Sequence, residues 1–139
     1  MARGNNPGDS RRYYDWLTYA EADIMAANDL KSNERTLLCG AFHAQQAIEK
    51  TLKAYFLFDR GYAPDGHNVI YLCRKLSRQY KEFSQWADEC AEANGYYIET
   101  RYPPDVPVDI TEEKLEKLID AAVRLYTFTF LKIRRELGE

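Results

Sequence analysis

The sequence predicts an all-α fold, an up-and-down bundle of four to five helices. Apolar residues recur at steps of three and four along several long segments, which is the period of an amphipathic helix. No segment shows the apolar and polar alternation of a half-buried strand. The length of 139 residues is enough for one domain with a core that needs no disulfide or metal. We therefore expect a disordered arm over residues 1–9 and a single helical domain over residues 10–139.

The first predicted helix begins after a capping Asp9 or Ser10 and ends near Leu30. Its apolar side chains repeat at three and four residue steps, so one stripe is expected to be buried. The residues of that stripe are Tyr13, Trp16, Leu17, Ala20, Ile24 and Ala27. The acidic side chains, which we expect to face elsewhere, are Asp15, Glu21 and Asp23.

The segment Cys39–Phe58 is the strongest helix signal and the element around which the chain is organised. Its predicted core face consists of Leu37, Ala41, Ala44, Ile48, Leu52 and Tyr55. A polar stripe on the opposite side consists of His43, Gln46, Lys50 and Lys53, whose side chains stand one above another. Gly61 after Arg60 is suited to close the helix in the left-handed conformation. The stripe is either an ordinary solvated face or a polar groove that holds two cations.

Two shorter helices are predicted after a turn-rich loop that contains Pro64 and Asp65-Gly66. The inward residues of the third helix are Val69, Leu72, Cys73, Leu76 and Tyr80. Phe83, Ala87, Cys90 and Ala91 continue the spacing to about Asn94. This fourth helix is either separate from the third or bent near Glu82.

The last helix is predicted to follow a long loop from Tyr96 to Val108, where three prolines exclude regular helix. The helix begins near Asp109 or Thr111, and acidic residues at its start and basic residues at its end suit its dipole. Its buried line consists of Leu115, Leu118, Ile119, Ala122, Leu125, Tyr126, Thr129 and Ile133. Val123 and Phe130 form a second apolar flank, from which we expect a homodimer.

Composition and charge exclude several classes of protein. A hydrophobic content of 45% and a charged content of 29% are typical of a soluble globular protein rather than a disordered one. The net charge of −3 argues against a broad nucleic-acid footprint, although it leaves room for a local basic patch. The three separated cysteines, the absence of a spanning apolar run and the polar N-terminus predict a cytoplasmic location. No spacing of His, Cys, Asp or Glu predicts a metal, and we expect no cofactor.

One run of residues resembles a known family. Phe42-His43-Ala44-Gln45-Gln46-Ala47-Ile48-Glu49-Lys50, followed by Leu52-Lys53-Ala54, is similar to the signature helix of the HEPN family, the higher eukaryotes and prokaryotes nucleotide-binding domain. A glycine-containing turn leading to His67, and Thr100-Arg101-Tyr102-Pro103 before the last helix, follow in the order of that family. The resemblance extends from about Arg12 to Glu136. It implies a HEPN-like bundle that binds a nucleotide and is paired with a minimal nucleotidyltransferase, as in some toxin-antitoxin systems.

The predicted ligand site joins the polar stripe to the loop that carries Arg101. An arginine on a proline-stiffened loop can contact phosphate with two nitrogens, and Tyr102, with Tyr96 and Tyr97, offers a face for a base. The alternative is a structural salt bridge from Arg101 to a nearby acid. The predicted nucleotide-binding residues are His43, Gln46, Lys50, Lys53, Arg101 and Tyr102.

Two other functions remain open at this stage. Arg60 and His67 approximate the spacing of the ribonuclease motif of some HEPN proteins, and such a pair could supply a base and a cation for a metal-independent endoribonuclease toxin. The segment departs from that motif because Gly61 follows the arginine and the last helix has no histidine, while the position of His67 at the start of the third helix favours a capping role. The sequence therefore favours a binding protein over an enzyme. The remaining alternative is a dimerising adaptor with no ligand.

Overall fold

The computed structural model describes residues 8–96, 103 and 110–139, which form five α-helices and two short 3₁₀ helices without any strand. The α-helices are α1 (Tyr13–Leu30), α2 (Leu37–Arg60), α3 (Val69–Gln79), α4 (Ala87–Asn94) and α5 (Glu112–Glu136). The 3₁₀ helices are Glu34–Thr36 and Lys81–Trp86. The predicted all-α bundle is confirmed. Most of the predicted loop from Tyr96 to Val108 lies outside the described residues, and the division into an arm and one domain stays a prediction.

Helix α2 is the centre of the bundle and is buried on nearly every side. Its backbone passes close to α5, because a Cβ atom placed on Gly40 would lie 2.7 Å from a methyl group of Leu115. The helix ends as predicted at Gly61, which has a φ of 78° and donates its amide hydrogen to the carbonyl of Leu57. All six residues of the predicted core face are buried.

The helix directions follow from contacts that join the elements. Helix α1 runs antiparallel to α2, since Trp16 lies beside Lys53 whereas Asp23 lies beside His43. The loop 61–68 returns along α2, so that α3 begins near the middle of α2 and runs in the same direction. Helix α5 also runs parallel to α2. The outer helices therefore leave part of one α2 face open between α1 and the loop 61–68.

The start of α1 differs from the sequence prediction. The helix begins three residues after Ser10, whose hydroxyl donates to the carboxylate of Asp15 at 2.6 Å and accepts from the amide of Arg12, the residue just before the helix, at 3.1 Å. The indole of Trp16 donates to the Ser10 carbonyl at 2.9 Å, which holds the preceding chain against the helix. The hydrogen bonds from Ser10 and Arg12 lower the pKa of Asp15 below its ordinary value.

Helices α3 and α4 are separate and are joined by the 3₁₀ helix Lys81–Trp86. The cap of α3 is Asn68, whose side chain accepts from the Tyr71 amide, so the capping role considered for His67 was wrong. In the 3₁₀ helix and α4, the buried residues are Phe83, Trp86, Cys90 and Ala93. Ala87 and Ala91, which were predicted to face inward, are exposed because the 3₁₀ segment shifts the helical phase.

Helix α5 agrees closely with its prediction. Thr111 caps it by accepting a hydrogen bond from a first-turn amide at 3.1 Å. Every residue of the predicted buried line is buried except Tyr126, which is half-buried. Val123 and Phe130 are exposed, as expected for a second apolar flank.

A polar network closes the bundle at the C-terminal end of α2. The Tyr55 hydroxyl donates to the Glu136 carboxylate at 2.9 Å, and the buried Lys132 ammonium pairs with Glu136 at 2.7 Å and Glu82 at 3.2 Å. The Lys132 nitrogen also lies 4.7 Å from the centre of the Tyr80 ring. Burial and then the bond to Glu136 raise the pKa of Tyr55. Burial opposes the charge of Lys132, but its bonds to Glu136 and Glu82 outweigh that effect and raise its pKa.

Candidate functional site

Two ion-pair clusters lie along the polar stripe of α2. In the first cluster, Asp23 of α1 is only 8% exposed and contacts two stripe residues. Its Oδ1 lies 2.8 Å from Nδ1 of His43, and its Oδ2 lies 2.6 Å from Nζ of Lys50. Since a carboxylate only accepts, the imidazole donates through Nδ1. Asp23 therefore ties α1 to α2 through two charge-assisted contacts.

The second cluster centres on Glu49, which is 4% exposed. Its Oε2 lies 3.1 Å from the ammonium of Lys53 and 2.9 Å from Nδ1 of His67. The predicted contact from Glu49 to Lys53 across one helical turn is thus present. His67 joins the same carboxylate from the loop 61–68. The Lys53 side chain is itself buried, so this pair lies in the interior and not at a solvated surface.

Two glutamines connect the clusters to the loop. The amide of Gln46 donates to the side-chain oxygen of Gln45 at 2.8 Å and to Glu49 at 3.3 Å. Gln45, which is fully buried, donates to the backbone carbonyl of His67 at 3.3 Å. These bonds orient the carboxylate and fix the position of the loop. The predicted stripe therefore forms a polar surface of two clusters, in which His43 and Lys50 contact Asp23, whereas Gln46 and the buried Lys53 contact Glu49.

Aromatic rings border this surface on the α1 side. The Lys53 nitrogen lies 5.9 Å from the Trp16 ring centre, and the Lys50 nitrogen lies 5.8 Å from that of the exposed Tyr19. Both distances are within cation–π range. An open groove of about 660 Å³ adjoins them. The residues that line this groove, hereafter the α1–α2 groove, are Gly8, Asp9, Ser10, Asp15, Trp16, Tyr19 and Lys50.

The charges of the clusters balance when both imidazoles are neutral. Lys50 and Lys53 supply two positive charges, and Asp23 and Glu49 supply two negative ones. An added phosphate must therefore compete with Asp23 for Lys50. Lys50 is the more accessible of the two lysines, since its side chain is 23% exposed whereas that of Lys53 is 9% exposed.

Arg60 and His67 are not brought together. The Arg60 guanidinium contacts Asp59 at 3.2 Å and Gln79 at 3.0 Å, near the C-terminal end of α2. His67 contacts Glu49, which lies three turns earlier, about 16 Å along the helix axis. The two side chains therefore occupy different environments. Among the described residues, the side chains of Arg60 and His67 do not contact each other.

The loop half of the predicted site lies outside the described residues. Arg101 and Tyr102, together with Tyr97, belong to this part of the chain. Tyr96 is described and is buried, so its ring is not presented to a ligand. The predicted participation of Arg101 and Tyr102 stays a prediction.

Sequence reasoning missed the acidic partner on α1. We expected Asp23 to face away from the core, whereas it is buried against α2. Its position three residues after Ala20 and four before Ala27, both fully buried, places it in phase with the apolar line. That phase was a usable signal. Trp16 and Tyr19 were also not assigned to the site, and the sequence alone gives no reason to place Tyr19 beside Lys50.

The described residues contain neither a metal-binding cluster nor a membrane-spanning helix. Across residues 8–96, 103 and 110–139, no cluster of three His, Cys, Asp or Glu side chains is arranged to hold a metal ion. A search of the same part of the chain finds no helix long and apolar enough to cross a bilayer.

A family model and two solved structures are similar to this chain. The model of the HEPN domain matches residues 13–133. The crystal structure of TT1696 from Thermus thermophilus is 27% identical, with a TM-score of 0.77, and the match covers 88% of this chain and 99% of that one. The structure of ST0689, an archaeal HEPN homologue, is 24% identical with a TM-score of 0.69, and the match covers 88% and 98% of the two chains. No curated protein matches the sequence significantly.

Proposed function

The chain belongs to the HEPN domain family, and from that premise we propose that it binds a nucleotide or another phosphate-bearing ligand at the α1–α2 groove. The observation that carries the proposal is the position of Lys50, which lies at the groove beside the exposed ring of Tyr19. A cation and an aromatic face are the two elements that recognise a nucleotide, because one attracts the phosphate and the other stacks on the base.

The contacts of Lys50 suit an exchangeable ligand. Lys50 is held by Asp23 in the unliganded protein, so it is positioned without being left as an unpaired charge. A phosphate oxygen can replace one of the two contacts that Asp23 makes, while the contact between Asp23 and His43 continues to join the helices. Lys53 and Glu49 lie deeper and support the geometry of this surface. We assign ligand contact to Lys50 and Tyr19, and structural support to Lys53.

The test is a thermal unfolding series with mono-, di- and triphosphate nucleotides, with and without Mg²⁺. A ligand at about a hundred times its dissociation constant adds roughly 2.7 kcal/mol to the free energy of unfolding, which raises the melting temperature by several degrees. We expect this increase in the parent protein and its loss in Lys50→Ala and Tyr19→Ala. Arg101→Ala tests the predicted contribution of the loop in the same assay.

The matched control is Lys117→Ala, which removes one exposed lysine from α5 at a distance from the groove. It should leave the nucleotide-dependent increase unchanged. A parent protein that gains no stability with any nucleotide would contradict the proposal. An increase that survives both Lys50→Ala and Tyr19→Ala would move the ligand to a different surface.

Asp23→Asn distinguishes a ligand site from a purely structural cluster. The substitution removes the carboxylate that competes for Lys50, so phosphate affinity should rise even though the unliganded protein becomes less stable. A structural cluster predicts only the loss of stability. The measurement is the nucleotide dissociation constant by isothermal titration calorimetry, with a decrease of about threefold or more as the expected result.

Membership of the family also supports a protein partner. We propose a minimal nucleotidyltransferase, with the two proteins acting as a toxin and antitoxin pair. The sequence contains no glycine-rich phosphate loop and no Asp/Glu pattern of the kind that holds two metals, so the transfer chemistry belongs to the partner. Co-expression with a nucleotidyltransferase encoded beside the gene should yield a complex that survives gel filtration. Two separate peaks at micromolar concentration would exclude a stable pair.

A homodimer is proposed along the outer edge between α1 and α5. Lys31 near the end of α1 pairs with Glu116 near the start of α5 at 3.6 Å, so the two helices are neighbours along this edge, and burial and then the charge of Glu21 raise the pKa of Tyr126. Met25 lies one turn from Glu21, and Val123 and Phe130 lie within about one turn of Tyr126, so three exposed apolar side chains share the edge. Phe130→Glu should convert a dimer into a monomer in light scattering. Leu131→Glu, which adds the same charge at an exposed leucine about 100° around α5, should leave the dimer intact.

A further inference from the structure

Helix α3 has a basic outer face. Tyr71, Arg74 and Arg78 are spaced by three and four residues, and Lys75 lies four residues after Tyr71, so the four side chains form one stripe about 10 Å long. Lys81 follows in the adjoining 3₁₀ helix, after the extended residue Tyr80. The segment 66–81 contains these four cations and no Asp or Glu, although the whole chain has a net charge of −3. Positive charge is therefore concentrated on one side of an acidic protein.

The four cations of this stripe differ from most others in the bundle. None of Arg74, Lys75, Arg78 and Lys81 forms an ion pair with any residue that the structure describes. By contrast, Lys31 pairs with Glu116 and Arg124 pairs with Asp120. Like charges one turn apart, as in Arg74 and Arg78, destabilise a helix. The stripe thus carries a repulsion that an external polyanion would relieve.

An aromatic ring and a groove accompany these charges. The Tyr71 side chain is 45% exposed, and the Lys75 nitrogen lies 5.9 Å from its ring centre. A groove of about 420 Å³ lies beside the Arg74 side of the stripe, between α3 and residues 84–91. Small side chains, including Ser77, Ser84 and Ala87, line it, and Arg74 stands at its edge. The surface therefore combines cations with a stacking face and space beside them.

We propose that this α3 face binds the backbone of a single-stranded nucleic acid. Arg74, Lys75, Arg78 and Lys81 contact successive phosphates, and Tyr71 stacks on a base. Proteins that bind single strands without sequence preference combine these same two elements, a positively charged track and aromatic platforms. The surface is distinct from the α1–α2 groove, because none of its residues lines that groove. The proposal therefore does not depend on nucleotide binding at Lys50.

The test measures fluorescence anisotropy of labelled 12-residue oligouridylate and oligothymidylate at several salt concentrations. For single strands, the slope of log K against log salt is about −0.7 per neutralised phosphate, so four contacts predict a slope near −2.8. Arg74→Gln with Arg78→Gln should bring the slope to about −1.4 and weaken binding. Tyr71→Ala should weaken binding by about fivefold or more without changing the slope.

The matched control is Lys114→Gln with Lys117→Gln, which removes the same charge from exposed positions on α5. It should retain the parent affinity and slope. All substituted side chains of the α3 stripe lie largely at the surface, and circular dichroism checks that the variants keep the helical fold.

Several results would overturn the proposal. The first two are that the protein shows no saturable binding at low salt, and that the α5 control loses as much affinity as the α3 variants. The others are that the protein binds a duplex at least as tightly as a single strand, and that it binds only to phosphatidylserine vesicles. Equal affinity for both oligonucleotides supports recognition through phosphate and base faces alone. Oligonucleotide binding that is lost in Lys50→Ala but kept in Arg74→Gln with Arg78→Gln would place the nucleic acid at the α1–α2 groove and would also overturn the proposal.

Discussion

The Glu49–Lys53 pair provides the sharpest test of how the polar stripe is built. Both side chains are buried, with exposed fractions of 5% and 9%, and their charged atoms lie 3.1 Å apart. Removing one partner of a buried pair leaves an uncompensated charge and costs about 3–5 kcal/mol. Glu49→Gln keeps the shape of the side chain and removes only its charge. We expect it to lower the free energy of unfolding by about 3 kcal/mol or more.

The double variant Glu49→Gln with Lys53→Met removes the stranded ammonium as well. Because an apolar replacement for a buried pair is often neutral, this variant should recover most of the lost stability. Urea denaturation measures all four members of the cycle. With a slope of about 2 kcal/mol per molar urea, the single variant should shift the midpoint by about 1.5 M.

An exposed pair with the same spacing supplies the control. Asp120 and Arg124 are 2.8 Å apart one turn from each other on α5, and their side chains are 64% and 50% exposed. Asp120→Asn should cost at most about 0.5 kcal/mol. A Glu49→Gln variant that loses less than about 1 kcal/mol, or a double variant whose effects simply add, would refute the view that this part of the stripe is an interior pair.

Two further predictions concern the packing and the polar network at the C-terminal end of α2. Gly40→Ala should lower the free energy of unfolding by about 1–3 kcal/mol in urea denaturation, because the new methyl group would contact the fully buried Leu115 and push α2 and α5 apart. Unchanged stability would mean that the Leu115 side chain can move aside without cost. The raised pKa of Tyr55 means that the folded protein keeps a proton that the unfolded chain releases near pH 10, so stability should fall as pH rises above about 10. Tyr55→Phe should cost about 1 kcal/mol at neutral pH by removing the bond to Glu136, and it should make the alkaline decrease measured by thermal unfolding shallower.

The groove and the α3 stripe use positive charge in different ways. At the α1–α2 groove, Lys50 is held by Asp23 and becomes available only through competition, which favours a compact, strongly charged ligand. On α3, the cations have no acidic partner among the described residues and are spaced along a helix, which favours an extended polyanion. The two proposals thus assign separate phosphate-binding surfaces to a protein with a net charge of −3.

The helices were predictable because their signals are local. The apolar period of α2, the glycine that ends it and the threonine that caps α5 each depend on neighbouring residues, and all three agree with the structure. The errors arose where a local pattern was incomplete. The start of α1 was placed too early because the Ser10 hydroxyl contacts Asp15 and the amide of Arg12, which precedes the helix, rather than an amide within α1. The phase of α4 was wrong because a 3₁₀ segment interrupts the helical repeat.

By itself, the sequence determined the all-α class, the central position of α2 and the four polar residues of its stripe. It also carried the resemblance to the HEPN family, which the family comparison confirms. Periodicity and motifs are enough for these conclusions, because they depend on residues that are close together in the chain.

Only the tertiary structure decided what the stripe contacts. Asp23 reaches Lys50 across 27 positions of sequence, and His67 reaches Glu49 across 18, with the loop 61–68 returning along α2 to make the second contact possible. No helical period encodes such pairs, since they depend on how α1 and the loop pack against α2. A stripe that is compatible with a solvated face in the sequence becomes, through this packing, a partly buried network of charges beside an open groove.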